Sequence, residues 1–335
     1  MVSVLYLMPT RGCNCRCTYC YVPDRSTGGS DSLLRQVVDR FVTAQRNRPG
    51  GRPELRFVGG EPYVKDALTL ELSQRFLEQC DAGLVVVNTN GTLVTQALRR
   101  GLLAPFATRP ERLVHVVSLD GPAHIHDPRR PLCSGESSYE STLEGLRALL
   151  SHGFPAYVNM VLDTESVHGL ETLMGLIKDE LGMCALSVSL RYVPGVPMTV
   201  DSRIALLVTA YRLAAQQGIR LTGHHRLLLG RQIPELACHA GEKTMLATAE
   251  GELHACQRFV GRERPLGFVG DDVDFDSQRK RCFVHNLRLL AATAVAVVAA
   301  CRPDMDPTSS EDRRRFARDR DIPKGGKAAD GDARS

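Results

Sequence analysis

A chain of 335 residues is long enough for one large domain plus a smaller one. Hydrophobic residues make up 43% and aromatics 5%, with no Trp, a composition that suits an aliphatic α/β core. The formal net charge of +4 is small for this length, so no nucleic-acid partner is expected.

The start, Met1 to Pro9, lacks a basic segment followed by a long apolar run, so no signal peptide is expected. Eleven cysteines without an export signal predict a reducing, cytoplasmic setting and metal ligation. The apolar run 287–300 contains Arg288 and is too short to cross a bilayer, so no membrane association is expected.

Val2 to Leu7 reads as a buried strand, and a cysteine-rich loop follows it directly. Residues 24–32 form a Gly/Ser-rich turn. Leu33, Leu34, Val37, Val38, Phe41 and Val42 then repeat at helical spacing. Further strands are predicted over 54–58, 84–87, 114–119, 156–162 and 185–191, with helices between them, including 139–151 and 170–178. A last helix covers 202–216.

Strict strand–helix alternation means parallel strands with right-handed crossovers. Six such units in this length suit a partial TIM-like barrel, with a doubly wound open sheet as the alternative. In a parallel barrel the active face lies at the C-terminal strand ends. The cysteine loop, Glu61, Asn90, Ser118 and Asp120 all fall at such ends.

Four cysteines lie within eight residues: Cys13, Cys15, Cys17 and Cys20. Cys13, Cys17 and Cys20 have the spacing C-x3-C-x2-C, which can hold three irons of a [4Fe–4S] cube and leave the fourth open. A zinc site is the alternative, although structural zinc usually splits its ligands into two separated pairs. A disulfide framework would need an oxidising compartment. Gly59-Gly60-Glu61-Pro62 offers a backbone free of Cβ obstruction and a carboxylate for a cationic amine, or else an ordinary turn with Pro at the first helical position. Cys80 and Cys184 read as structural, and Cys133 lies in a loop over the mouth.

The segment Cys13-Asn-x-Arg-Cys17-Thr-Tyr19-Cys20-Tyr21 resembles the cluster loop of the radical S-adenosylmethionine (SAM) superfamily. Its local form is similar to the peptide- and protein-modifying branch that carries a C-terminal SPASM domain. The resemblance implies a (β/α)6 partial barrel over 1–220 and an open iron that chelates the methionyl group of SAM. An electron delivered through the cluster then cleaves SAM to a 5′-deoxyadenosyl radical. Gly59, Gly60 and Glu61 would bind the methionyl amine. Asn88-Thr-Asn90-Gly91 and Ser118-Leu-Asp120-Gly121 resemble the next two signatures, with Ser118 and Asp120 near the ribose, or with Asp120 capping the following turn instead. His126-Asp127-Pro-Arg129-Arg130 resembles an H-D-x-x-R segment whose Arg130 would meet the SAM carboxylate, a task suited to a bidentate guanidinium. Cys15 departs from the family, where an apolar residue is usual, and is either an inert thiol or a competing ligand.

From residue 237 the texture changes. A short hairpin with its turn at Glu250-Gly251 is predicted. The pattern from Cys238 to Cys256 resembles the opening of a SPASM domain, placed at 236–290, in which both cysteines would ligate an auxiliary [4Fe–4S] cluster. The cysteine block expected next is missing, and only Cys282 and Cys301 remain. Residues 302–335 carry 17 charged positions, a composition that predicts disorder. A frame shift near residue 290, a degenerate gene, or a variant with one auxiliary cluster completed by Cys282 and Cys301 would each explain the break.

The expected function is oxidative modification of a peptide or protein side chain, with electrons from a reduced flavodoxin- or ferredoxin-type donor. No side chain is assigned as catalytic acid, base or nucleophile. Gln257 stands where sulfatase maturases of this family carry an Asp base, which favours crosslinking of ribosomal peptides over formylglycine formation. No separate peptide-binding domain is expected ahead of the first strand. The rivals are an inactive pseudoenzyme or electron-transfer module and a zinc-binding regulator.

Overall fold

The computed structural model describes residues 2–22, 24–25, 28–46, 50–191, 198–223, 243–262 and 264–271. Among the described residues ten strands form one sheet. In chain order they are β1 (Val4–Met8), β2 (Glu54–Phe57), β3 (Leu84–Thr89), β4 (Leu113–Ser118), β5 (Ala156–Leu162), β6 (Ala185–Leu190), β7 (Arg220–Thr222), β8 (Thr244–Thr248), β9 (Glu252–His254) and β10 (Gly267–Phe268). The α-helices among the described residues are α1 (Asp31–Arg46), α2 (Asp66–Gln79), α3 (Val94–Arg99), α4 (Ala123–Arg129), α5 (Tyr139–Ser151), α6 (Leu170–Gly175) and α7 (Val200–Gln217).

Spatial order is β10-β9-β8-β1-β2-β3-β4-β5-β6-β7. From β1 to β7 each strand lies beside its successor and pairs with it in parallel. A doubly wound sheet reverses direction part-way through its strands; here β1 to β7 run one way, so their crossovers wind one way, as in a barrel, and only β8 returns to the other side of β1. Since β7 and β10 stand at the two ends of the strand order, the barrel is partial.

The six predicted units are present, each strand within a residue or two of its expected bounds. A seventh parallel strand was not anticipated. With three residues after the left-handed Gly218 cap, β7 is too short to show a period. The hairpin at Glu250-Gly251 is present as β8 and β9. Beyond that reading, β8 also pairs in parallel with β1, from Val4↔Thr244 to Met8↔Thr248, so this hairpin continues the barrel sheet.

One hydrophobic cluster lies between the sheet and the helices. Leu34, Val37, Val38, Phe41 and Val42 of α1 are buried at the predicted helical spacing. Full burial of each such side chain contributes about 1.5–3 kcal/mol. Along β4 the pattern alternates: Leu113, His115 and Val117 are buried, while Val114, Val116 and Ser118 are half-buried on the opposite face. Among the described residues no helix is long and apolar enough to cross a membrane. Residues 272–335, which include Cys282, Cys301, the apolar run and the charged tail, lie outside the described residues, as does Cys238.

Candidate active site

The cysteine loop leaves β1 at the C-terminal end of the sheet and is held from both sides. On one side its backbone pairs with the segment after α4: Arg16 N donates to Pro131 O (2.7 Å), Thr18 N to Arg129 O (2.9 Å) and Cys133 N to Asn14 O (2.7 Å). On the other side Gly60 N donates to Thr10 O (3.0 Å) and Glu61 N to Gly12 O (2.9 Å).

This contact explains the two glycines. A Cβ on Gly60 would sit 2.0 Å from Gly12 O and 2.6 Å from Arg11 O. Gly59 has φ +117° and lies against Met8 and Thr10 O. The closely approaching backbone is therefore residues 10–12 of the cysteine loop, where the sequence reading expected a ligand.

Cys13 and Cys17 are half-buried, Cys20 is exposed and Cys15 is buried; all four are free thiols. Hydrogen bonding from Cys15 pulls the Cys13 thiol down to about 6, against the opposing effect of burial. Burial pushes Cys17 up, partly countered by the charge of Arg130. Among the described residues no three His, Cys, Asp or Glu side chains converge on one ion. A cube takes one thiolate per iron, so three separate thiols from one loop, with cationic and amide donors beside them, fit that group.

Glu61 is buried and its carboxylate is already occupied. Oε1 accepts from Tyr63 N (3.1 Å) and Thr89 Oγ1 (2.7 Å), and Oε2 from Asn90 N (2.7 Å). Burial raises it to about 7 despite these donors. The side chain thus caps the turn Pro62–Lys65 and ties β2 to the end of β3. Asn90 is fixed in turn. Its Oδ1 accepts from Thr92 N (2.9 Å) and Thr92 Oγ1 (2.7 Å). Its Nδ2 points at Asn14 Oδ1 (2.8 Å), Cys15 Sγ (3.2 Å) and Cys13 Sγ (3.9 Å).

Asp120, fully buried, accepts from Arg130 Nε (3.0 Å), Arg129 Nε (3.3 Å), Val161 N (2.9 Å) and Tyr19 OH. Burial pushes its carboxyl up, but the two arginines and these donors hold it below the usual range. The sequence left Asp120 either beside the ribose or capping the following turn; its filled lone pairs make it the counter-ion of Arg129 and Arg130. Both guanidinium groups also lie over the Tyr19 ring, 4.8 and 5.2 Å from its centroid. Arg130 keeps Nη1 toward Cys17 Sγ, at 3.8 Å.

Arg129 went unassigned in the sequence. It forms a paired contact with Asp163 (2.8 and 2.9 Å) and bridges β4 to the end of β5. Two adjacent arginines next to a strand-end Asp were the available signal. His126 and Asp127 have supporting roles. Asp120 N donates to His126 Nδ1 (3.2 Å), which places the ring proton on Nε2, facing Ser138 Oγ (3.0 Å). Burial lowers His126 to about 4, so the ring is neutral. Asp127 accepts from Ser138 N (3.1 Å) and Tyr139 N (2.9 Å) at the start of α5.

Ser118 ends β4 on the half-buried face, in register with Asn159. Cys256 is half-buried after β9. The β8–β9 hairpin reaches the cysteine loop through Arg11 Nη2 to Glu252 Oε2 (3.0 Å), and Arg262 Nη2 donates to Tyr21 O (2.8 Å). Cys80 is buried, as expected, whereas Cys133 and Cys184 are exposed.

A one-way parallel sheet with a three-cysteine loop at its first strand end, braced by arginine and amide donors, defines an iron–sulfur barrel protein. The radical SAM superfamily model matches residues 7–177, and the chain belongs to that superfamily, whose cofactors are a [4Fe–4S] cluster and SAM. It is 29% identical over 292 residues to a serine-type anaerobic sulfatase-maturating enzyme of Klebsiella aerogenes, covering 76% of this chain and 66% of that one. A cysteine-type anaerobic sulfatase-maturating enzyme of Clostridium perfringens is 30% identical over 149 residues, covering 41% of this chain and 38% of the relative. The chain thus spans less than two thirds of the length of these curated relatives.

Among solved structures, anSMEcpe with bound AdoMet and Cp18Cys peptide superposes with a TM-score of 0.65 at 18% identity, covering 86% of this chain and 83% of that one. Streptococcus suis SuiB bound to precursor peptide SuiA gives 0.61 at 15%, covering 82% and 64%. At these identities the structural likeness establishes the fold.

Proposed function

We propose that Cys13, Cys17 and Cys20 hold the [4Fe–4S] cluster and that the chain oxidatively modifies a peptide or protein side chain. The observation that carries this is the braced thiol loop. Three free thiols stand at the barrel mouth, with Arg130 on Cys17 and Asn90 on Cys13. When bound, the cluster and SAM supply a carbon-centred radical able to abstract hydrogen from an unactivated carbon.

The chain's own residues position that chemistry. Arg130 presents Nη1 at the cluster side for the SAM carboxylate, and Asp120 and Tyr19 fix its plane. Gly59 and Gly60 let the β2 end lie close enough to the loop to offer its backbone to the methionyl amine, while the Glu61 carboxylate holds that turn. Ser118 faces the barrel interior toward the ribose. Cys20, the exposed ligand, is where an electron from a flavodoxin- or ferredoxin-type protein would enter. Cys256, with Cys238, would contribute to an auxiliary cluster.

Gln257 favours a peptide-crosslinking maturase, because a neutral amide cannot take a proton at neutral pH. Its Oε1 is buried without a hydrogen-bond partner. Formylglycine formation is the second reading, favoured by the names of the curated relatives. Anaerobic reconstitution with iron, sulfide, SAM and dithionite tests the core of the proposal. 5′-Deoxyadenosine should form and should be lost in Cys17→Ala; equal yield from that variant refutes the assignment. Mass analysis of a co-expressed peptide then separates the readings. A crosslink removes two hydrogens, whereas formylglycine replaces the Cys or Ser side chain with an aldehyde.

A further inference from the structure

The fourth cysteine of the loop has a place of its own. Cys15 is 1% exposed, in contrast to the half-buried Cys13 and Cys17 and the exposed Cys20. Its backbone forms a bridge with Leu132, and its N–H points at Cys13 Sγ at 3.4 Å. Its sulfur accepts a hydrogen bond from Asn90 Nδ2 at 3.2 Å. The Asn90 amide cannot turn over, because Thr92 N and Thr92 Oγ1 both donate to Oδ1.

An unligated cysteine keeps its S–H proton at neutral pH, so Cys15 has one to give while its sulfur accepts from Asn90. The nearby Glu61 carboxylate is already supplied by Tyr63 N, Thr89 Oγ1 and Asn90 N. Cys13 Sγ is the acceptor at hand: Asn90 Nδ2 reaches both sulfurs, Cys15 at 3.2 Å and Cys13 at 3.9 Å, and the two side chains act on each other as hydrogen-bonding partners.

We infer that Cys15 is a hydrogen-bond donor to the sulfur of Cys13 rather than a fourth iron ligand, held in that role by Asn90, and that it raises the reduction potential of the cluster. This rests on the assignment of Cys13, Cys17 and Cys20 as cluster ligands. Hydrogen bonds to ligand sulfurs are among the levers that set cluster potentials. A donor on a thiolate draws off electron density, so it stabilises the cluster that has gained one electron over the oxidised form. Cys15 is thereby a positioning residue: it touches a ligand and neither substrate nor SAM.

The test compares wild type, Cys15→Val, which fills the space without a donor, and Cys15→Ser, which restores one. Each full-length protein is reconstituted anaerobically. Iron is counted, and the one-electron-reduced cluster is titrated by electron paramagnetic resonance against graded dithionite potentials. Cys15→Val should keep the wild-type iron count and lower the reduced-to-oxidised ratio at fixed potential about fivefold, equal to about 40 mV at 59 mV per tenfold. Cys15→Ser should recover most of that shift. An unchanged potential in Cys15→Val, or a shift that Cys15→Ser does not reverse, overturns the inference. Loss of iron in Cys15→Val with retention in Cys15→Ser also overturns it, in favour of a ligand role. Wild type that takes up no cluster refutes the underlying assignment instead, so the two failures are distinguishable.

Discussion

Gly60→Ala isolates the contact that seats the cysteine loop on the barrel. The added Cβ would meet Gly12 O at 2.0 Å, Arg11 O at 2.6 Å and Arg11 C at 2.7 Å. All three are backbone atoms, so no side chain can swing aside. Overpacking of this kind costs about 1–3 kcal/mol. Moving the loop also weakens Gly60 N to Thr10 O and Glu61 N to Gly12 O, at about 1 kcal/mol each. The sum is roughly 3–5 kcal/mol, which at about 2–4 °C per kcal/mol for a domain of this size lowers Tm by about 6–20 °C. Thermal unfolding of the apoprotein gives the readout, followed by iron uptake after reconstitution, which should fall with the displaced loop. Gly28→Ala is the control, since nothing lies within 4 Å of a Cβ there. A Gly60→Ala protein with the control's Tm and full iron content would refute the reasoning.

Asp120→Asn removes the shared counter-charge of Arg129 and Arg130, and breaking a buried pair of this kind costs about 3–5 kcal/mol. The carboxyl is held below its ordinary value of 3.8 in the fold. Its contribution is therefore present above about pH 4 and lost as pH falls through the lower folded value. Acid titration of stability by urea should show that loss in wild type and a flatter curve in the variant. His115 behaves in the opposite sense. It is fully buried against Tyr63, whose OH lies 2.6 Å from Nε2, and burial alone lowers it from 6.5 to about 3. The unfolded chain takes up a proton that the fold refuses, so stability falls by roughly 1.4 kcal/mol per pH unit from about 6.5 down to about 3. His115→Phe should remove one proton's worth of that slope; an unchanged slope would mean the ring is protonated in the fold.

Much of the frame was legible because its signals are local. Strand–helix alternation and apolar runs such as Leu84 to Val87 mark parallel strands wherever they pair. The cysteine spacing and Gly59-Gly60 marked a loop and a turn that the fold brings into contact. What the local pattern left out was which groups answer one another across the fold. Glu61 and Asp120 read as ligand-facing because a strand-end carboxylate looks available in sequence. Each is instead saturated by donors that include groups far along the chain, Thr89 and Asn90 for Glu61 and Tyr19 and Val161 for Asp120. Arg129 was passed over because the motif it sits in points to its neighbour. The pairing of β8 with β1 could not be seen at all, since no periodicity reports a partner 240 positions along the chain.

That pairing has a consequence for the order of assembly. Val4 meets Glu54 early, but its second neighbour, Thr244, is made 240 residues later. At about 5–20 residues per second, β1 waits roughly 10–50 s on the ribosome with one edge unpaired. Arg11 and Tyr21, in the loop that β1 carries, gain Glu252 and Arg262 only after that interval. β1, the first of the described strands, is thus among the last to be completed. The thiol loop reaches its final brace only when nearly the whole described chain has been made.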